Sequence, residues 1–338
     1  MTFAPLAIPE WRGEPDDAAE VVARIDAWVA SDALHSVVAA FGGDVPRSGG
    51  DDALGYLDGF SSAHWDFRRG RERDSLAATG IDPEVTAVVM RAALALGQSG
   101  RTVPQRGHYD SIVLTGGMVR AGLVKPRFVA SLLARGVTAD EIVFLGAHRR
   151  FSAPESELAR LLDVDGDDEV DAMSVGMVRA FGLGIDECRV STGGEGTGAW
   201  STIDWTSPER RYRVVAAPSA DPSRRADTAA TFRLWGSTCA PGRRVLVVTT
   251  PVYVPYQATV ATETLGLGGG SPVETVGTDA AANDLGVHTQ EFLATHHVQE
   301  LRSAVRAMRS LRAAAVAEAR RPGSSTVAHG EEPRRNNR

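Results

Sequence analysis

The chain is poor in cysteine, with Cys188 and Cys239 alone and no paired spacing. That excludes a disulfide framework and a zinc knuckle, and a reducing compartment is expected. No stretch approaches the roughly 18–20 apolar residues of a membrane span, so no membrane partner is expected. The opening segment MTFAPLAIPEWRGEPDD lacks the basic-then-apolar order of a signal peptide, which makes a cytoplasmic location the expectation. Positive charge is in deficit: 36 Lys and Arg against 43 Asp and Glu leave a net charge of −7. A surface that coats nucleic acid is therefore disfavoured, although a local basic groove stays open. Several signatures are missing too. There is no complete G-x-G-x-x-G, no P-loop Lys-Ser/Thr, no G-x-S-x-G elbow, no H-E-x-x-H and no C-x-x-C. What is present is ordinary: 338 residues, 43% apolar and 23% charged, enough for a large buried core. Heavy use of Ala, Arg, Gly and Val suggests a GC-rich, actinobacterium-like source; a biosynthetic role would rest on that composition alone.

The spacing of Val21, Ile25, Trp28 and Val29 predicts a helix over 15–40. FGGDVPRSGGDDALG reads as a polar loop, and a second helix is expected over 83–97 with Pro83 in its first turn. From Ser111 onward, strand and helix patterns alternate. SIVLT, EIVFLG, CRVST, RYRVVAA, RRVLVVTT and VETVG read as strands. KPRFVASLLARG reads as a helix with Pro126 near its start and Gly136 as its stop, and PESELARLL, DDEVDAMSVGMVRAFG, RADTAATFRLWG and VPYQATVATETLG are further helices. Such alternation predicts an α/β fold: a Rossmann-like parallel sheet with helices on both faces. A long helix over 289–320 carries Val298, Leu301, Val305 and Met308 on its buried stripe. The expected division is a mainly helical extension over 1–105, an α/β core over 106–285, a C-terminal helix over 286–320 packing on that core and a disordered tail over 321–338.

Ligands of open parallel sheets bind beyond the carboxyl ends of the strands, so four strand ends hold the candidates. Thr115-Gly116-Gly117 lets backbone approach a ligand, and Arg120 could grip a phosphate or carboxylate; a tight turn with a solvated arginine is the plain alternative. At the second end His148 is a general base or a loop histidine, with Arg149 as a further ligand contact and Glu155 as a second acid/base candidate. Around the third, Arg225 and Thr228 are ligand contacts, and Asp227 either caps a helix or serves as an acid/base group. At the fourth, Thr250, Tyr253 and Gln257 bracket a strand end and a helix start.

Other motifs carry less. DVDGDDEVD has its glycine misplaced for a calcium loop and reads as an acidic helix start. GGEGTG, beside Trp200 and Trp205, reads as a flexible lid. His296 and His297 are adjacent on a helix, do not share a face, and are not expected to bind a metal. Arg68, Arg69, Arg71 and Arg73 could fold over the sheet edge toward an acidic ligand or lie on a solvated face.

Over roughly residues 108–280 the strand ends resemble the YdcF/SanA/ElyC-like domain family. Gly116 and Gly117 match its Gly-Gly, Thr228 its threonine with Asp227 in place of asparagine, and Val248, Thr249 and Thr250 its Val-Thr-Ser. The family's histidine, arginine and second asparagine fall on Tyr253, Tyr256 and Thr231. The resemblance implies a Rossmann-like fold and a nucleotide-like ligand such as S-adenosylmethionine. The expectation is an enzyme of group transfer or hydrolysis acting on an anionic or nucleotide-like small molecule. A non-catalytic binding module and an RNA-interacting biosynthetic enzyme are the alternatives.

Overall fold

The computed structural model of the chain describes residues 2–67, 81–184 and 187–321. The run from Arg68 to Arg73 and the tail beyond Arg321 lie outside the described residues. Among the described residues four helices come first: α1 (Asp17–Val29), α2 (Asp32–Ala40), α3 (Gly50–His64) and α4 (Pro83–Ala95). The single helix expected over 15–40 is two helices. Ser31 adopts extended backbone, and its hydroxyl accepts from the Leu34 N–H to start α2. Part of the expected loop is likewise helical, because Ala53, Leu54 and Leu57 of α3 bury one face.

Seven strands then form one sheet: β1 (His108–Thr115), β2 (Thr138–Gly146), β3 (Arg189–Gly193), β4 (Trp200–Thr206), β5 (Arg211–Ala216), β6 (Val245–Thr249) and β7 (Val273–Gly277). The order is β3-β4-β5-β2-β1-β6-β7. The five from β5 to β7 run parallel, and β3 and β4 are antiparallel additions at one edge. Six of the seven were legible as strands; β4 was not. Its glycine-rich approach read as a lid, but Gly196–Gly198 is the tight turn of a hairpin in which Gly193 pairs with Trp200.

The connecting helices are α5 (Val119–Ala134), α6 (Ala153–Leu161), α7 (Glu169–Phe181), α8 (Thr228–Gly236), α9 (Val254–Ala261), which runs on as a π-helix over Thr262–Leu267, and the short α10 (Ala280–Asn283). α5 and α7 pack on one face of the sheet, and α8 and α9 on the other. Pro126 is interior to α5, not near its start. Proline cannot donate to the carbonyl four residues back, and here that carbonyl, on Gly122, faces Gly176 of α7. A Cβ on Gly176 would collide with it, so the Gly122–Gly176 contact brings the two helices close where the helix bond is missing.

The last helix, α11 (Ala294–Ala319), shares one apolar core with α1 to α4 through Val298, Leu301, Val305, Met308 and Leu311. Arg312 ties it to Asp26 and Asp51 at 2.8 Å each. No described helix is long and apolar enough to cross a membrane.

Candidate functional site

Strand order reverses between β1 and β6: the chain leaves β1 for β2 on one side, and β6 lies on the other. Such a switch point opens a crevice at the carboxyl ends of the two strands. A cavity of about 170 Å³ lies there. Its floor is the Gly116-Gly117 turn after β1 and Thr250 to Tyr253 after β6; Arg120 of α5 and His297 of α11 line it as well.

The turn is built for close approach. A Cβ on Gly116 would strike the Glu169 carboxylate and come within 2.9 Å of the Leu145 carbonyl. The Gly117 N–H donates to that Glu169 carboxylate at 2.6 Å. Thr115 Oγ1 and Thr249 Oγ1 meet at 3.0 Å and hold the β1 and β6 ends together. Beneath them lies Lys125, 1% exposed, whose Nζ donates to the Thr115 carbonyl at 2.5 Å, to Thr115 Oγ1 at 3.0 Å and to the Gly116 carbonyl at 3.2 Å.

Two sources of positive potential reach the cavity. The first turn of α5 has no side-chain cap, so its leading N–H groups stay available for an anion. Arg120 donates through Nε to the His288 carbonyl at 2.6 Å, and among the described residues no oxygen accepts from its Nη groups. Burial lowers its pKa from the ordinary arginine value, while the charge on Glu155 acts in the opposite sense.

Across the cavity, His297 is held by Gln98. The Gln98 amide nitrogen donates to the His297 carbonyl at 2.8 Å and the Val252 carbonyl at 3.4 Å, which leaves its oxygen to face the His297 Nδ1 at 3.1 Å. That oxygen can only accept, so the proton sits on Nδ1 and Nε2 carries a lone pair. Burial, helped by His296, pushes the His297 pKa down to about 4. At neutral pH the imidazole is an uncharged acceptor.

A smaller cavity of about 40 Å³ continues over β2, sharing Gly116, Gly117 and Met118 with the first. Arg149, Arg225, Thr228 and Gln257 line it. Here the charges answer one another: Arg149 reaches Glu169 at 3.2 Å and Glu155 at 3.1 Å, and all three side chains are at most 9% exposed. Gln257 donates to Thr228 Oγ1 at 3.3 Å.

Of the residues singled out from the sequence, Gly116, Gly117, Arg120, Thr250 and Tyr253 line the first cavity, and Arg149, Arg225, Thr228 and Gln257 the second. The three acid/base candidates line neither. Asp227 caps α8 through the Ala230 N–H at 2.9 Å. Glu155 forms a capping box with Ser152 and pairs with Arg149. His148 donates from Nδ1 to Asp168 at 2.8 Å, and Asp168 in turn caps α7, as the acidic helix start implied. At the opposite edge of the sheet, His108, Asp110 and Asp140 bring ligand atoms within 4.8 Å of one another. Asp110 is already held there by the Arg244 N–H at 2.6 Å.

Lys125 and Gln98 were not singled out, and His297 was weighed only as a metal ligand and set aside. Only Lys125 left a trace: a lone lysine on an otherwise apolar helix face, ten residues after a strand end.

A profile described as the Rv3785 N-terminal domain matches residues 12–97. The uncharacterized protein Rv3785 of Mycobacterium tuberculosis is 30% identical over 333 residues, which cover 88% of this chain and 91% of that protein. The chain belongs to the Rv3785 family. The uncharacterized protein Mb3814 of Mycobacterium bovis matches with the same identity and coverage. No solved structure matches. Membership in the Rv3785 family overturns the resemblance to the YdcF/SanA/ElyC-like family. The relatives align across the helical extension as well as the core, and the profile matches a segment that the resemblance left out. Gly-Gly and Thr-Thr strand ends are features that any open α/β sheet with a switch-point crevice can share.

Proposed function

We propose that this Rv3785-family chain is an enzyme that binds an anionic or nucleotide-like small molecule at the β1/β6 switch point and carries out group transfer or hydrolysis on it. One observation carries the reading: the uncapped start of α5, the Arg120 guanidinium and the His297 Nε2 lone pair all meet one cavity. The α5 amides and Arg120 would hold a phosphate or carboxylate oxygen. His297 would accept a proton from, or orient, an attacking water or hydroxyl. Gln98 keeps the imidazole in the tautomer that leaves Nε2 bare. The low basicity of His297 supports a second reading, in which the same cavity binds its anion without turnover.

A thermal-shift panel of inorganic phosphate, nucleotides, sugar phosphates and S-adenosylmethionine tests both. Stabilisation by an anionic member that disappears in Arg120→Gln is expected, and a panel with no such member contradicts the site. If binding survives in His297→Gln while product formation stops, the enzyme reading holds; if no product forms from any binder, the binding module replaces it.

A further inference from the structure

A third cavity, of about 250 Å³, lies at the opposite, amino edge of the sheet, between α8 and the π-helix that follows α9. Two arginines, Arg233 and Arg243, line it, and no Asp or Glu does. Arg243 spends one Nη on the Asp110 carbonyl at 2.8 Å and Ser111 Oγ at 2.9 Å, and its buried Nε has no partner. The Glu141 carboxylate stands behind that same Ser111 hydroxyl and pairs with Arg213 at 3.4 Å. Trp235, 2% exposed, lines the cavity too, and its indole Nε1–H is also without a partner.

The rest of the wall fits a molecule with an apolar part. Leu265 and Val245 are buried in it, and Ser271, 8% exposed, adds a hydroxyl. Burial raises the Cys239 pKa, so this lining thiol stays neutral and does not compete as an anion. The π-turn itself contributes Thr264 and Leu265, and π-bulges recur at functional sites.

We propose that this cavity is a second anion site, which takes the carboxylate or phosphate of a small molecule on Arg243 and Arg233, with the Trp235 ring in its wall. It is separate from the switch-point site and does not depend on the reading given for that one.

The test is an NMR titration of the ¹⁵N-labelled full chain, following the Trp235 indole N–H, assigned by its loss in Trp235→Phe. Inorganic phosphate and benzoate are added separately, with sodium chloride at matched ionic strength as control. A saturable shift with either probe is expected, and the probe that saturates first identifies the head group. Arg243→Gln should weaken the response by about tenfold or more, as expected for loss of a charge-assisted hydrogen bond. Arg233→Gln, at an exposed position where folding is not at stake, should weaken it as well. Arg120→Gln should leave it intact. A linear drift equal to that in chloride overturns the proposal as an adventitious ion only. So does a response unchanged in both Arg243→Gln and Arg233→Gln, or one lost in Arg120→Gln.

Discussion

Arg120 and Arg149 follow neighbouring strands, and in the sequence they look alike. Each comes shortly after a glycine that ends a buried run. The fold gives them opposite situations. Arg149, after β2, is buried between Glu155 and Glu169. Arg120, after β1, meets a carbonyl through Nε and keeps its Nη groups beside a cavity. An arginine whose charge is already matched holds the protein together; one whose charge is unmatched can hold a ligand. The difference comes from α7, whose first residue, Glu169, reaches both the Gly117 N–H and Arg149.

The strongest way to break the comparison is Arg149→Met. It leaves two buried carboxylates uncompensated, and removing one partner of a buried pair costs about 3–5 kcal/mol. Urea denaturation should show a loss of that order; a loss below about 1 kcal/mol would mean that Arg149 is as dispensable to the fold as Arg120.

The open side has its own signature in acid. His297 is lowered to about 4 in the fold from 6.5 in its unperturbed state. Between those values the unfolded chain binds a proton that the native state does not, so stability rises with pH. The contribution of this group is complete above about pH 6.5 and falls by about 3 kcal/mol on reaching pH 4. His297→Gln should flatten that part of a stability–pH profile. An equal slope in both proteins would show that the imidazole is not buried neutral.

Gly116→Ala probes the turn that both arginines flank. The new methyl meets the Glu169 carboxylate and the Leu145 carbonyl, for a cost of about 1–3 kcal/mol. It should also disturb the Glu169–Arg149 pair, which thermal denaturation of the Gly116→Ala/Arg149→Met double variant would reveal as non-additivity. The smallest effect on stability belongs to Arg120→Gln, within about 0.5 kcal/mol of the parent. Its loss should appear in ligand response instead.

Much of the fold was legible because local pattern and tertiary burial agree. The apolar runs ending at Thr115, Gly146 and Thr249 are strands covered on both faces, and the stripe from Val298 to Met308 is buried as its spacing implied. Pattern failed where packing overrode it. Pro126 sits mid-helix because a glycine of another helix fills in behind it. β4 alternates too weakly to stand out from the glycines before it. The candidate site divides along the same line. Strand-end residues such as Gly116, Gly117 and Arg120 follow from a general rule about parallel sheets. Gln98 and His297 are 199 positions apart, and meet only because α11 packs against the N-terminal helices. The role of Asp227 was ambiguous for the opposite reason: a carboxylate at a helix start looks the same whether it caps or catalyses.

The most direct test of the switch-point site is a backbone ¹H–¹⁵N titration with pyrophosphate at fixed ionic strength. Saturable shifts of the Met118, Val119 and Arg120 amides are expected at the uncapped start of α5. In Arg120→Gln the same shifts should need about tenfold more ligand. Amides that stay still, or that respond equally without Arg120, would contradict it.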